Sequence, residues 1–580
     1  MSKRNVSIVL LLAGLLLGAC GPAATPTTVP AQNTPAPAAN TVAPAATAAT
    51  GAVTPGLPAD AAAADKQVLK IAWAGFGSQE PLAPSSVRWG GQAISFSEFL
   101  TPIYPDVEFN FKPLLATAIT PNADKTVWTL KVDPRAVWSD GKKLTAADIK
   151  ASWEWSVDPA QKISNLSTYI GDLRGFADVS GGKAKEITGL VVKDDATLEM
   201  QLTNGDPFFD TRLAIYYVGI LPVDKLKADP LYLTKPNPVV NGPFQVTQID
   251  ATGRQIVMKQ NPKWWGPKPI LQEIDLIVAE EQTAFETLVE KGQVDFAYTF
   301  AGPAAMRALE KRAVGTTELA TKLPIGIYSA FHQGVPPNDD LNVRKALVHA
   351  IDFKALATAA TDGIQLPWLA FLHPELKLGC YNKDSESYFA FDVAKAKTEL
   401  AASKYGSADK LPKMRVSSNS TGASQQKALQ IIMEMWRTNL GVTNIEFNNQ
   451  PAGFGADEKL LNVDRQSIAA RPPDDGLWIT QLQSTQIHAT RFMGGYKNEA
   501  LDKQLIAILP MDRKDPNFCK AVQAAEKTFL DDYMWIPLWR QSGDFGLVHP
   551  WVKNVYFGPY LSPYGWFGDG PQAYITNAKK

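Results

Sequence analysis

The stretch "PLLATAITPNADKTVWTLKVDPRAVWSDGKKLTAADIKASWEW" (Pro113–Trp155) packs a strand, a turn and a helix start into a short space. In "KTVWTLKV", Trp128, Leu130 and Val132 alternate with polar residues, so they share one face of a strand. Asp140-Gly141 is a turn pair, and the helix that follows announces itself through Thr145 and Asp148. Their spacing is that of a capping box, in which each side chain satisfies a backbone donor at the helix start.

Moving outward, strand and helix signals alternate along the rest of the chain. "VLKIAWAG" (Val68–Gly75) reads as a buried first strand, followed by a loop, "GSQEPLAPSSVRWGGQ", rich in turn formers. "GPFQVTQIDATGRQIVMKQNPKWWG" reads as a hairpin turning at Ala251 to Arg254 and closed by Asn261-Pro262. "TAFETLVEKGQVDFAYTF" predicts a short helix boxed by Thr283 and Glu286, with Phe285, Leu288 and Val289 inward, ended by Gly292 and feeding a strand over Val294 to Tyr298. In "DLNVRKALVHAIDFKAL", Val343, Ala346, Leu347, Ala350 and Ile351 fall at helical spacing, which puts Arg344 and Lys345 on the solvated face. "DVAKAKTELAASKYG" and "SQQKALQIIMEMWRTNLG" are further amphipathic helices, with "KMRVSS" and "TNIEFNN" as strands beside them.

The amino-terminal residues have a different character. Lys3 and Arg4 precede an apolar run, Val6 to Leu17, of export-signal length and too short for a comfortable membrane span. It ends in "LGAC" (Leu17–Cys20), which resembles the lipobox of bacterial lipoproteins, so residues 1–19 read as a signal peptide and Cys20 as a lipidation site. Residues 20–65 form an Ala/Pro/Thr-rich tether that cannot bury a core and that holds the remainder away from a lipid surface. The expected location is the periplasm or cell exterior, on the cell membrane.

The remaining 515 or so residues are too many for one hydrophobic core and suit two or three domains. A formal net charge of −1 gives no electrostatic footprint for nucleic acid. Apart from Cys20, the cysteines are Cys380 and Cys519, far apart in sequence and free to pair or not in an oxidising compartment. The five histidines are scattered without metal-ligand spacing, no G-x-S-x-G or H-E-x-x-H motif is present, and no cofactor is expected.

Taken in order, these segments resemble the oligopeptide-, dipeptide- and nickel-binding lipoproteins of ABC importers. Pro113–Trp155 matches the family's best motif, and "NGPFQVTQID", "QNPKWWGPKPILQEIDL", "LVEKGQVDF", "LNVRKALVHAID", "GYKNEALDKQL" and "AEKTFLDDYMWIPLW" match later ones. The resemblance implies an α/β, two-lobed periplasmic-binding-protein fold with an extra subdomain inserted in the first lobe. Mapped by motif order, the first lobe takes 66–108, 210–325 and 541–580, the inserted subdomain 109–209, and the second lobe 326–540. It further implies a non-enzymatic monomer that encloses a solute, a peptide by family default, and delivers it to membrane permease subunits.

The same resemblance places ligand contacts at Arg88 and Trp89 after the first strand, and at Tyr169 in "NLSTYIGDLRGF". Peptide binders of the family carry an aspartate in a W-x-x-D-Y stretch, which pairs with the ligand's α-amino group. Here "RPPDDGLWITQLQSTQIHATRF" (Arg471–Phe492) has Gln481 in that place. Asp474 and Asp475, in a Pro-Pro-Asp-Asp-Gly turn, are alternative acids, while Trp478, Gln481 and Gln483 suit an uncharged ligand such as an oligosaccharide. A metal chelate is a further cargo within the family, a receptor-coupled sensor a further role, and a secreted hydrolase the rival from another class.

Overall fold

The computed structural model describes residues 56–74, 92–106, 110–161, 166–250, 252, 254–279, 281–298, 303–313, 315–320, 324–418, 423–449, 463–468, 474–486, 488–489, 493–542, 545–557, 563–564 and 572–579. The strand expected over Val68–Gly75 is formed over Val68–Ala74, with Gly75 outside the described residues, and is the middle of a seven-stranded sheet, running parallel to Glu273–Ala279 on one side and Phe296–Tyr298 on the other. Leu69 and Ile71 point to one buried face and Ala72 to the other, so the strand is covered on both sides. The hairpin is as expected: Phe244–Ile249 pairs with Gln255–Gln260, which adds antiparallel to Glu273–Ala279.

Helix Gln282–Glu290 covers the Ala72 face with Phe285 and Val289, and Gly292, at φ +62°, follows its end. The box expected at Thr283 and Glu286 is absent. The helix starts two residues earlier than that box requires, with Glu281 at the cap and no side-chain capping bond, and Glu286 is engaged by Arg312 at 2.6 Å.

A second, five-stranded sheet has the order Ile445–Asn449, Met414–Ser418, Val463–Ile468, Pro324–Phe331, Trp535–Ser542. The chain passes from the first sheet to this one between Thr317–Ala320 and Pro324–Phe331. It returns between Trp535–Ser542 and Phe545–Val548. These strands pair antiparallel in both sheets, Ala320 with Phe545 and Pro324 with Ser542, so the two lobes are joined by two strands lying side by side.

The subdomain inserted in the first lobe is a four-stranded antiparallel sheet, Ala116–Pro121, Val127–Val132, Thr197–Gln201 and Leu190–Asp194, with helix Ala146–Val157 against it. Trp128, Leu130 and Val132 are buried as their alternation requires. Gly141 turns with φ +89°, and both arms of the capping box are present: the Thr145 N–H donates to Asp148 at 2.7 Å and the Asp148 N–H to Thr145 Oγ1 at 3.4 Å. Such a cap stabilises the helix by about 1 kcal/mol.

Helix Leu341–His349 buries the expected apolar stripe, but Arg344 and Lys345 are not on a solvated face. Arg344 donates to the carbonyls of Asp532 and Asn338, and Lys345 lies 5.7 Å from the centre of the Tyr533 ring. Packing against the Asp532–Tyr533 corner, far off in sequence, covers them.

The two ends of the described body are clipped together. Gln67 donates its side-chain amide to the carbonyls of Ala62 and Ile575 and accepts the Ile575 N–H at 2.8 Å, while Ala61 bridges to Thr576. Close by, the buried Asp295 carboxylate accepts from the Lys70 N–H, the Trp551 indole and the Lys579 ammonium, at 2.8, 2.7 and 2.7 Å. Among the described residues no helix is long and apolar enough to cross a membrane.

Candidate functional site

The second lobe presents its candidate residues on a short helix, Asp475–Thr480. Sequence reading makes Pro-Pro-Asp-Asp-Gly a turn; Asp474 to Gly476 instead form the buried start of this helix, with Asp474 as its cap. Asp474 Oδ1 accepts the Leu477 N–H at 2.9 Å, and the same carboxylate holds Arg513 in a fork at 3.1 and 3.1 Å. Asp475 accepts the N–H groups of Leu378 and Cys380 at 3.0 and 2.9 Å. Burial pushes its carboxyl above the usual range, and those two bonds work against the shift.

Trp478 is fully buried, and its indole N–H donates to the Phe371 carbonyl at 2.8 Å. It has no exposed face on which a sugar ring could stack. Gln481 closes the helix, half-buried, with its amide 3.4 Å from the Trp478 carbonyl. Gln483 is half-buried in the turn that follows.

Asp475 and Trp478 thus anchor the segment between Gln365 and Tyr381. That segment is fixed further by Glu526, which accepts from the Phe371 and Leu372 N–H groups and the Ser385 hydroxyl, and by a disulfide between Cys380 and Cys519 with Cα atoms 4.8 Å apart. Burial raises the Glu526 carboxyl as well. Beneath the segment, Trp368 meets Trp535 edge-on at 5.2 Å, and Trp535 stacks on Tyr328 at 3.9 Å. Tyr328 in turn shares a 2.6 Å hydrogen bond with His488, which burial pushes down to about 4 and so keeps neutral at ordinary pH.

In the inserted subdomain, Tyr169 is half-buried and stacks on Tyr217 at 5.7 Å, with Tyr216 behind at 4.2 Å from Tyr217. Arg88 and Trp89 lie outside the described residues. Asp474, Asp475, Trp478 and Gln481 are therefore brought onto one helix, and Tyr169 stands in another part of the fold. Sequence reading did not single out Arg513, Glu526 or His488 as parts of this site. Arg513 follows Met511-Asp512 in a loop without periodic signal, and only the fold brings it to Asp474. Among the described residues no group of three or more His, Cys, Asp or Glu side chains could hold a metal ion.

The model of the bacterial extracellular solute-binding proteins, family 5, matches residues 110–479, more than half of the chain. The chain belongs to this family. Among family 5 relatives, the oligopeptide-binding protein OppA of Bacillus subtilis is 27% identical over 505 residues, covering 82% of this chain and 89% of the relative. Among solved structures, the murein tripeptide binding protein MppA of Escherichia coli superposes with a TM-score of 0.72 at 23% identity, covering 89% of this chain and all of that one. OppA of Haemophilus influenzae in complex with RPPGFSPFR gives 0.71 at 20% identity, over 88% of this chain and 99% of that one.

Proposed function

We propose that this family 5 protein captures a peptide between its two lobes and delivers it to the membrane subunits of an ABC permease, without catalysis by its own residues. The observation that carries the reading is the pair of connecting strands, through which two lobes can swing about a ligand that prefers the closed arrangement. Relatives named for oligopeptides and murein peptides support a peptide as cargo. Tyr169 and Gln481 are the described residues we assign to the ligand, with Arg88 and Trp89 added from the family pattern.

The nearby acids favour a peptide whose amino end is not read by a carboxylate. Asp474 is bonded to Arg513, Asp475 to two backbone donors, and Asp502 to Ser484. An ammonium placed beside Gln481 alone would lack an opposite charge, which is costly once buried. Thermal shift with random tri- to pentapeptide pools, free and N-acetylated, tests this, since a ligand raises stability by mass action. We expect both pools to raise the midpoint equally. A response to oligosaccharides and to neither pool would overturn the reading.

We further propose that the protein works as a monomer on the outer face of the cell membrane, tethered through acylated Cys20. Cys20→Ser would then release it from the membrane fraction, and an unchanged membrane fraction would refute the anchor.

A further inference from the structure

The inserted subdomain and the second lobe meet at a specific side-chain contact. The Arg513 guanidinium carbon lies 4.0 Å from the centre of the Phe208 ring and 4.7 Å from that of Phe518. The cation is thus shared by an aromatic ring from each side of the molecule. Phe518 begins helix Phe518–Leu530 of the second lobe; Phe208 belongs to the segment that leaves the four-stranded sheet.

The backbone that carries Phe208 and the side chain of Arg513 are each held by their own surroundings. On the subdomain side, the Asp206 N–H donates to the Lys125 carbonyl, Phe209 packs on Trp128, and Arg212 bonds to Asp206 and Asp172. On the other side, Arg513 is forked onto Asp474 and donates to the carbonyls of Met511 and Leu509 at 2.9 and 3.2 Å. A guanidinium already held in place and largely stripped of water loses little entropy on contact and gains most from an aromatic face.

We propose that Phe208 and Arg513 are a closure latch, a contact made only with the lobes together that lengthens the residence of whatever lies between them. Asp474 is its positioning residue. Because Asp474 also caps helix Asp475–Thr480, the latch is wired directly to the helix that carries Gln481. This inference rests on the two-lobe capture reading and does not depend on the cargo being a peptide.

The test is small-angle X-ray scattering of the ligand-free full chain carrying Cys20→Ser, with and without Phe208→Ala. It is paired with dissociation of a fluorescent random pentapeptide pool. Loss of the ring should enlarge the radius of gyration and speed dissociation by about fivefold to thirtyfold, the range expected for a desolvated cation–aromatic contact. Phe208→Leu keeps the apolar volume without the π face, and should move both readouts the same way; it decides the matter if the alanine variant does not fold. Scattering curves and dissociation rates unchanged in both variants would overturn the latch. A changed curve from a protein that binds no peptide would overturn the peptide reading and leave the latch standing.

Discussion

The indole of Trp368 lies against Gly326 so closely that a methyl group on the glycine would stand 2.0 Å from the ring. Gly326 sits in strand Pro324–Phe331, paired on both sides, and Trp368 is 1% exposed, so neither has room to yield. Gly326→Ala should therefore cost about 1–3 kcal/mol in urea unfolding, the usual penalty for overpacking. Adding Trp368→Leu should recover part of that loss, a non-additivity that marks direct contact. Strictly additive effects would mean the clash is relieved elsewhere.

Glu98 provides a pH-dependent term. Its carboxyl is fully buried with, among the described residues, only the Val246 N–H on Oε1 at 2.7 Å, and burial pushes it up to about 8 from an ordinary 4.5. Between those values the folded protein holds a proton that the unfolded chain has released. The carboxyl's contribution is therefore complete below pH 4.5 and is lost as pH rises through 8. Glu98→Gln keeps an acceptor for Val246 and cannot ionise. Relative to the parent it should gain stability steadily from about pH 4.5 to 8 and level off above, by a few kcal/mol at most. Unfolding midpoints measured across that range decide it, and a constant difference would refute it.

Reduction of the Cys380–Cys519 disulfide opens a loop spanning 139 residues, so the unfolded chain regains much freedom. We expect the double variant Cys380→Ser, Cys519→Ser to lose about 3 kcal/mol or more. Hydrogen exchange should rise first at Leu378 and Cys380, whose N–H groups meet Asp475. Exchange that is unchanged there would show that Asp475 holds the segment unaided.

Asp295 draws on three donors from distant parts of the first lobe, and its side chain is 1% exposed. Asp295→Ala strands a partly exposed ammonium and two partly buried N–H groups, so it should cost about 1–3 kcal/mol by chemical denaturation. Lys579→Met, which removes the cation but leaves both N–H donors on the carboxylate, should cost clearly less. Equal losses would assign the whole effect to the ion pair.

Local order was legible in the sequence wherever neighbours in the chain determine it. The Thr145–Asp148 box, the Asp140-Gly141 turn and the Val68–Ala74 strand depend on residues within a few positions, and each has the expected form. The Thr283–Glu286 pair has the same spacing and fails, because Arg312 competes for the glutamate from another helix. Arg344 has the periodicity of a surface residue, yet it is bonded to the Asp532 carbonyl, 188 positions away. At the site, Trp478 and Asp475 carry the chemistry of ligand contacts, and their partners at Phe371, Leu378 and Cys380 become neighbours only once the lobe has folded.

The clip joining Gln67 to Ile575 governs how the protein can be handled and how it bears load. Both ends of the described body lie together, so an affinity tag or reporter fused to the carboxyl end would begin close to Asp60 and Ala61. Tension applied at Gly56 is delivered first to Asp60, Ala61 and Gln67 and through them to the carboxyl-terminal strand. A pull on the amino-terminal end of the described body can therefore be borne without prising its lobes apart.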